Sequence, residues 1–282
     1  MLDGGSAVAA SYTPHRLRPQ SRLAPRGTLR GMPLAAAFRS PFQAPPLSLL
    51  AVEPLRAMFD GLAAHFACHR GAAGDGHPVI VYPGLGAGVA QTALLRRYLR
   101  DCGFAVHDWE GGINTGPLGR LHDWLGTLEN HLGRVHEEHG RTVSLVGWSL
   151  GGIYARELAK RHPEAVRQVI TLATPFASLG RGNHAGAWFQ LLHPDSAHLG
   201  PELQERLREA PPVPTTSIYS RSDGVVSWRG CVQKRTGRCE NVEVSASHLG
   251  IVSHPLVLGI VAERLAQPDG QWRPLRRAGR RP

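Results

Sequence analysis

Residues 142–152 read T-V-S-L-V-G-W-S-L-G-G, and this stretch decides the fold. Thr142–Val146 is a short apolar run closed by Gly147, the pattern of a strand buried on both faces. From Leu150 to His162 the apolar residues recur at helical spacing, and Pro163 ends that helix. Ser149 therefore falls on a tight corner between strand and helix. Gly147 and Gly151 remove Cβ atoms that would clash across the corner, and Gly152 lets the helix approach its neighbours closely. Such a corner lifts the serine hydroxyl clear of the sheet and sets it at a helix N-terminus. The pentapeptide G-W-S-L-G carries meaning because strand leads into it and helix leads out.

The same alternation extends in both directions. Apolar runs at residues 78–82, 104–108, 142–147, 167–173, 215–220 and 241–245 are predicted strands. Helices are predicted over 90–101, 121–139, 150–162, 201–209 and 255–266. Strands alternating with helices make an α/β protein with a mostly parallel central sheet and helices on both faces. Such sheets act beyond the carboxyl ends of their strands. Residues 176–212 interrupt the alternation and hold Trp188 and Phe189; an insertion here overhangs that end and is expected to form a lid.

A serine hydroxyl becomes a nucleophile only when a base takes its proton, and a histidine oriented by a carboxylate is the usual base. After Ser149 the required order is acid, then histidine. Asp223 stands in Y-S-R-S-D-G-V-V after a strand, where an Asp-Gly turn without chemistry is the competing reading. His248 stands in S-A-S-H-L-G after the next strand. His254 competes, but it precedes Pro255 at a helix start and is expected to sit at the surface or cap that helix. The developing oxyanion needs two backbone N–H groups. One is expected from Leu150, after the nucleophile, and one from Leu85 in the Pro83-Gly84-Leu85-Gly86 loop. That loop lacks the glycine and lysine spacing of a phosphate-binding loop. Trp148, Trp188 and Phe189 are expected to line an apolar acyl site, although Trp148 reads equally well as a core residue.

The pieces V-Y-P-G-L-G, G-W-S-L-G-G, I-T-L-A-T-P, S-D-G-V-V and S-H-L-G occur in the order found in the α/β-hydrolase superfamily, and the chain resembles its lipase and esterase branch over about residues 77–266. Many relatives have His-Gly where this chain has Pro83-Gly84. The resemblance implies hydrolysis of a carboxylic ester through an acyl-enzyme, with no metal and no organic cofactor. Thioester hydrolysis or acyl transfer by the same triad, and a non-catalytic binding protein on a hydrolase fold, are the alternatives. The expected partner is a small-molecule ester with an apolar acyl part.

The 282 residues carry a formal net charge of +10, which invites a nucleic-acid reading. Its distribution argues against one. Residues 1–46 hold six arginines against Asp3, a net of +5, and residues 270–282 hold five arginines and no acid. The 47–269 domain between them is neutral, so the excess sits in a Pro/Arg-rich leader and a basic tail, both expected to be disordered. Met32 is a second candidate start. No apolar run spans a membrane and no signal-peptide pattern opens the chain, so a cytoplasmic location is expected. Residues 48–67 form an amphipathic helix with Leu49, Leu50, Val52, Leu55, Met58, Phe59, Leu62 and Phe66 at helical spacing. Docking on the domain is the favoured reading and peripheral contact with a membrane the second, because its polar face has few basic residues. None of the four cysteines forms a C-x-x-C pair. Cys231 and Cys239 are placed to bridge if oxidised; reduced thiols are the default expectation without export. The oligomeric state is not legible.

Overall fold

The computed structural model describes residues 43–66, 72–117, 121–178, 184, 201–234 and 236–275. Met32, most of the leader, Cys68, Trp188, Phe189, most of the expected lid and the last seven residues of the tail lie outside the described residues.

Among the described residues, six strands form one sheet in the order β2-β1-β3-β4-β5-β6, every neighbouring pair parallel. They are β1 (Pro78–Tyr82), β2 (Ala105–His107), β3 (Val143–Trp148), β4 (Val166–Leu172), β5 (Thr215–Ser220) and β6 (Cys239–Val244). A parallel sheet needs a crossover between strands, and helices supply most of them. These are α2 (Ala93–Asp101), α3 (Leu121–His139), α4 (Leu150–Arg161) and, before β5, α5 (Pro201–Arg208); α6 (Pro255–Leu265) follows β6.

Strand alternation divides the core in two. Val79 and Val81 face α2 and α6, where they meet Leu95, Leu99, Val257 and Val261. Ile80 and Tyr82 face α3 and α4, where they meet Leu125, Leu132, Ile153 and Leu158. Each fully buried aliphatic side chain contributes about 1.5–3 kcal/mol, which explains why the central strands read as unbroken apolar runs. The α4 helix is buried from Leu150 to Ala159, Arg156 and Glu157 included. Arg156 Nη2 donates to Gln233 Oε1 and Glu209 O, both at 2.7 Å, and its guanidinium lies over Phe176. Glu157 pairs with Lys160 and, from α5, Arg206.

Helix α1 (Leu47–Phe66) docks on the domain, but with the opposite face from the one its apolar stripe predicts. Glu53 is 1% exposed, whereas Leu55, Met58, Phe59 and Leu62 are each at least half exposed. The reason is hydrogen bonding: the polar side chains find buried backbone partners on the loops after β5 and β6. Cys231 and Cys239 are free thiols, both buried. Among the described residues no helix is long and apolar enough to cross a membrane.

Candidate active site

The corner at Ser149 has the geometry its sequence demands. β3 ends at Trp148, α4 begins at Leu150, and Ser149 between them has φ 51° and ψ −119°. A positive φ on a non-glycine residue costs about 1–3 kcal/mol and persists only where the surroundings hold it. The Ser149 N–H is held by Leu172 O at 2.8 Å on the neighbouring strand. A Cβ on Gly147 would strike Gly151 and Gly152; one on Gly151 would strike the Tyr82 and Pro83 carbonyls; one on Gly152 would strike Thr174. The three glycines thus permit three separate approaches: the turn on itself, the turn on β1, and α4 on the end of β4.

Three loops converge here. His248 Nε2 lies 3.1 Å from Ser149 Oγ, and His248 Nδ1 lies 2.7 Å from Asp223 Oδ2. Asp223 closes a turn and also meets the imidazole. Its Oδ1 accepts the Val225 and Val226 N–H groups at 2.8 Å, closing a turn, and that turn aims Oδ2 at the imidazole. The three side chains are buried. Burial disfavours an imidazolium, but the Asp223 carboxylate and, behind it, Glu53 outweigh that, so the His248 pKa is raised above its ordinary 6.5. His254 stands apart from this group, at the N-terminus of α6 with no side-chain capping bond, its Nε2 4.0 Å from Asp60.

Leu150 is the first residue of α4, where helix geometry leaves N–H groups without intrahelical acceptors. Leu85 follows Gly84, whose missing Cβ would lie 3.2 Å from Ser149 Cβ, so the backbone of this loop runs beside the serine. Asn114, fully buried, holds the loop in shape. Its Nδ2 donates to Pro83 O at 2.8 Å, its carbonyl accepts Gly86 N–H at 2.7 Å, and its N–H donates to Ala87 O. Tyr154 Oη donates to Asn114 Oδ1 at 3.0 Å. Trp148 lies in the core beneath the site, where its Nε1 donates to His248 O at 3.0 Å. Nothing in the local sequence singles out Asn114, since the contacts that employ it come from β1 and α4. Among the described residues, no three His, Cys, Asp or Glu side chains are grouped to hold a metal ion.

No protein-family model matches the chain. A pimeloyl-[acyl-carrier protein] methyl ester esterase from Shewanella woodyi is 31% identical over 109 residues, which are 38% of this chain and 39% of that protein. The esterase of the same name from Shewanella oneidensis is 29% identical over 126 residues, 44% of each chain. The chain thus spans about two fifths of the length of the curated relatives it matches. Among solved structures, the mature Bacillus licheniformis lipase BlEst2 superposes with a TM-score of 0.53 at 18% identity, over 71% of this chain and 96% of that one. With a parallel sheet and a strand-to-helix corner at its centre, and with these similarities, the chain has the α/β-hydrolase fold.

Proposed function

We propose that this protein hydrolyses a small carboxylic ester through an acyl-enzyme on Ser149. The observation that carries the reading is the chain of contacts from Ser149 Oγ through the His248 ring to Asp223. Ser149 Oγ bonds to the ester carbonyl carbon as its proton passes to His248 Nε2, and the carbonyl π electrons move onto oxygen. The Leu85 and Leu150 N–H groups receive that oxyanion. Collapse of the intermediate breaks the bond to the alcohol oxygen, which leaves with the proton from Nε2. Water, deprotonated by His248, then releases the acid and restores the serine. Asp223 keeps Nδ1 protonated and stabilises the imidazolium. Relatives named as methyl ester esterases support an ester as substrate, and an apolar acyl part is the expected match for the superfamily's lipase branch.

Fluorophosphonate labelling and p-nitrophenyl ester hydrolysis test this directly. Wild type should label and turn over; Ser149→Ala should do neither, with a rate at least about 1,000-fold lower. A Ser149→Ala variant of near-normal activity overturns the assignment.

We also propose that the outward apolar face of α1 meets an anionic lipid surface. Leu55, Met58, Phe59 and Leu62 form an exposed ridge, and the 46 residues up to its start carry a net charge of +5. Wild type should sediment with phosphatidylserine vesicles and less with phosphatidylcholine vesicles. Equal recovery of wild type and Phe59→Glu in the supernatant of both removes this reading.

A further inference from the structure

Helix α1 presents one polar face to the site, and that face reaches the neighbours of both the acid and the base. Glu53 Oε1 accepts the Gly224 N–H at 2.7 Å, and Glu53 Oε2 accepts the Leu249 N–H at 3.1 Å. Gly224 follows Asp223, and Leu249 follows His248. One turn on, Arg56 donates to Ser222 O at 2.5 Å and to Ser222 Oγ at 2.8 Å, on the other side of Asp223. One turn further, Asp60 Oδ2 accepts Ser247 Oγ at 2.8 Å and Ser247 N–H at 3.2 Å, on the other side of His248. Residues 53, 56 and 60 share a face because they are three and four apart.

The helix gives up apolar burial to achieve this. A helix that only covered core would turn Leu55 and Phe59 inward; this one buries a carboxylate instead. A charge taken out of water costs several kcal/mol unless its oxygens are hydrogen-bonded, and both oxygens of Glu53 are. We propose that Glu53 is a positioning residue: by bridging the Gly224 and Leu249 amides it fixes the acid loop against the base loop and so sets the Asp223–His248 contact. This role rests on the hydrolase reading given above.

The charge of Glu53 has a second effect. The charges acting on His248 are those of Asp223 and Glu53; Arg56 lies 3.7 Å from Glu53, the Cys231 thiol, which senses Asp223, is kept neutral by burial, and Asp60 accepts from Ser247, next to His248 in the chain. Both Asp223 and Glu53 favour the imidazolium.

Glu53→Gln keeps the volume, removes the charge, and turns an NH2 toward one of the two amides, so one bridge is lost. The full-length variant should fold, with kcat reduced about 10- to 100-fold and KM nearly unchanged, as expected when reacting groups are displaced by about an ångström. The acid limb of its kcat/KM profile should move to lower pH. Glu53→Asp keeps the charge but shortens the reach; its limb should stay at the wild-type position while kcat falls to an intermediate value. Leu132→Ala, in the core on α3, is the control for simple weakening and should lower Tm without moving the limb. An active wild type matched by Glu53→Gln in kcat and in its limb overturns this role alone. So does a Leu132→Ala variant that shifts the limb equally. Should Glu53→Gln fail to fold, a Glu53→Asp variant with wild-type kcat overturns the role. A wild type that neither labels with fluorophosphonate nor cleaves esters overturns the hydrolase reading, and this role with it.

Discussion

The indole Nε1 of Trp148 donates a hydrogen bond to the backbone carbonyl of His248 at 3.0 Å, across 100 residues of chain. The residue before the serine thus holds the loop that carries the histidine. Trp148→Phe keeps most of the apolar volume and removes this donor, leaving a buried carbonyl without it. Leaving such a group unpaired costs about 1–3 kcal/mol. The expected outcome is a lower Tm together with a kcat reduced about tenfold, because the imidazole loses one of its fixed supports. Thermal unfolding and steady-state kinetics on one ester check both; a kcat equal to wild type at lowered Tm would assign Trp148 to stability only.

The surroundings of His248 set a pH dependence. Its pKa is raised from 6.5 because Asp223 and Glu53 outweigh burial. In the proposed mechanism the imidazole must be neutral to accept the Ser149 proton, so activity should fall as pH drops through the raised value. The acid limb of kcat/KM, scanned from about pH 5 to about pH 9, should therefore have its midpoint above 6.5. The stability term has the opposite sense. A pKa raised on folding stabilises most below the unfolded value of 6.5, and that contribution is lost as pH rises through the folded value. Asp223→Asn removes the nearer charge and should bring the limb down while lowering kcat about 1,000- to 10,000-fold.

Close packing at the corner gives a steric test. Gly152 sits where a Cβ would overlap the Thr174 side chain, past the end of β4. Gly152→Ala should destabilise by about 1–3 kcal/mol, the usual cost of overfilling a packed site. Removing the hydroxyl and methyl with Thr174→Ala should recover part of that loss, since the Thr174 Cβ remains close. Denaturant midpoints of the two single variants and the double variant measure the coupling; strict additivity would mean that α4 relaxes away from β4 instead.

What was legible in the sequence was what is local. The corner around Ser149 is specified by residues within a few positions of it, so strand, turn and helix could be read together. The meeting of Asp223 and His248 with Ser149 was legible because each follows a strand, in that chain order. Helix α1 was legible as a helix, but its orientation was not. Apolar periodicity predicts which face is buried only when burial is driven by apolar area. Here Glu53, Arg56 and Asp60 bond to loops more than 160 residues away, and that outweighs the apolar stripe. Asn114 was invisible for the same reason.

Asn114 provides the last test. Its side chain donates to Pro83 O and accepts from Tyr154 Oη and Gly116 N–H, so it fixes the start of the loop whose Gly84 packs against Ser149. Asn114→Ala leaves these groups unpaired and frees the loop. Asn114→Asp keeps the acceptor for Tyr154 and Gly116 but cannot donate to Pro83. If the Leu85 N–H receives the oxyanion, both variants should lose kcat with little change in KM, because the interaction is made in the transition state and hardly in the ground state. Losing one such donor costs about 100- to 1,000-fold, and a loosened donor should cost less, about 10- to 100-fold. Asn114→Asp is the discriminating variant, since it retains two of the three bonds and so more of the stability. A kcat loss in Asn114→Asp out of proportion to its Tm loss places the effect on the Pro83–Ala87 loop; equal and proportionate losses in both variants place it on packing around Tyr154.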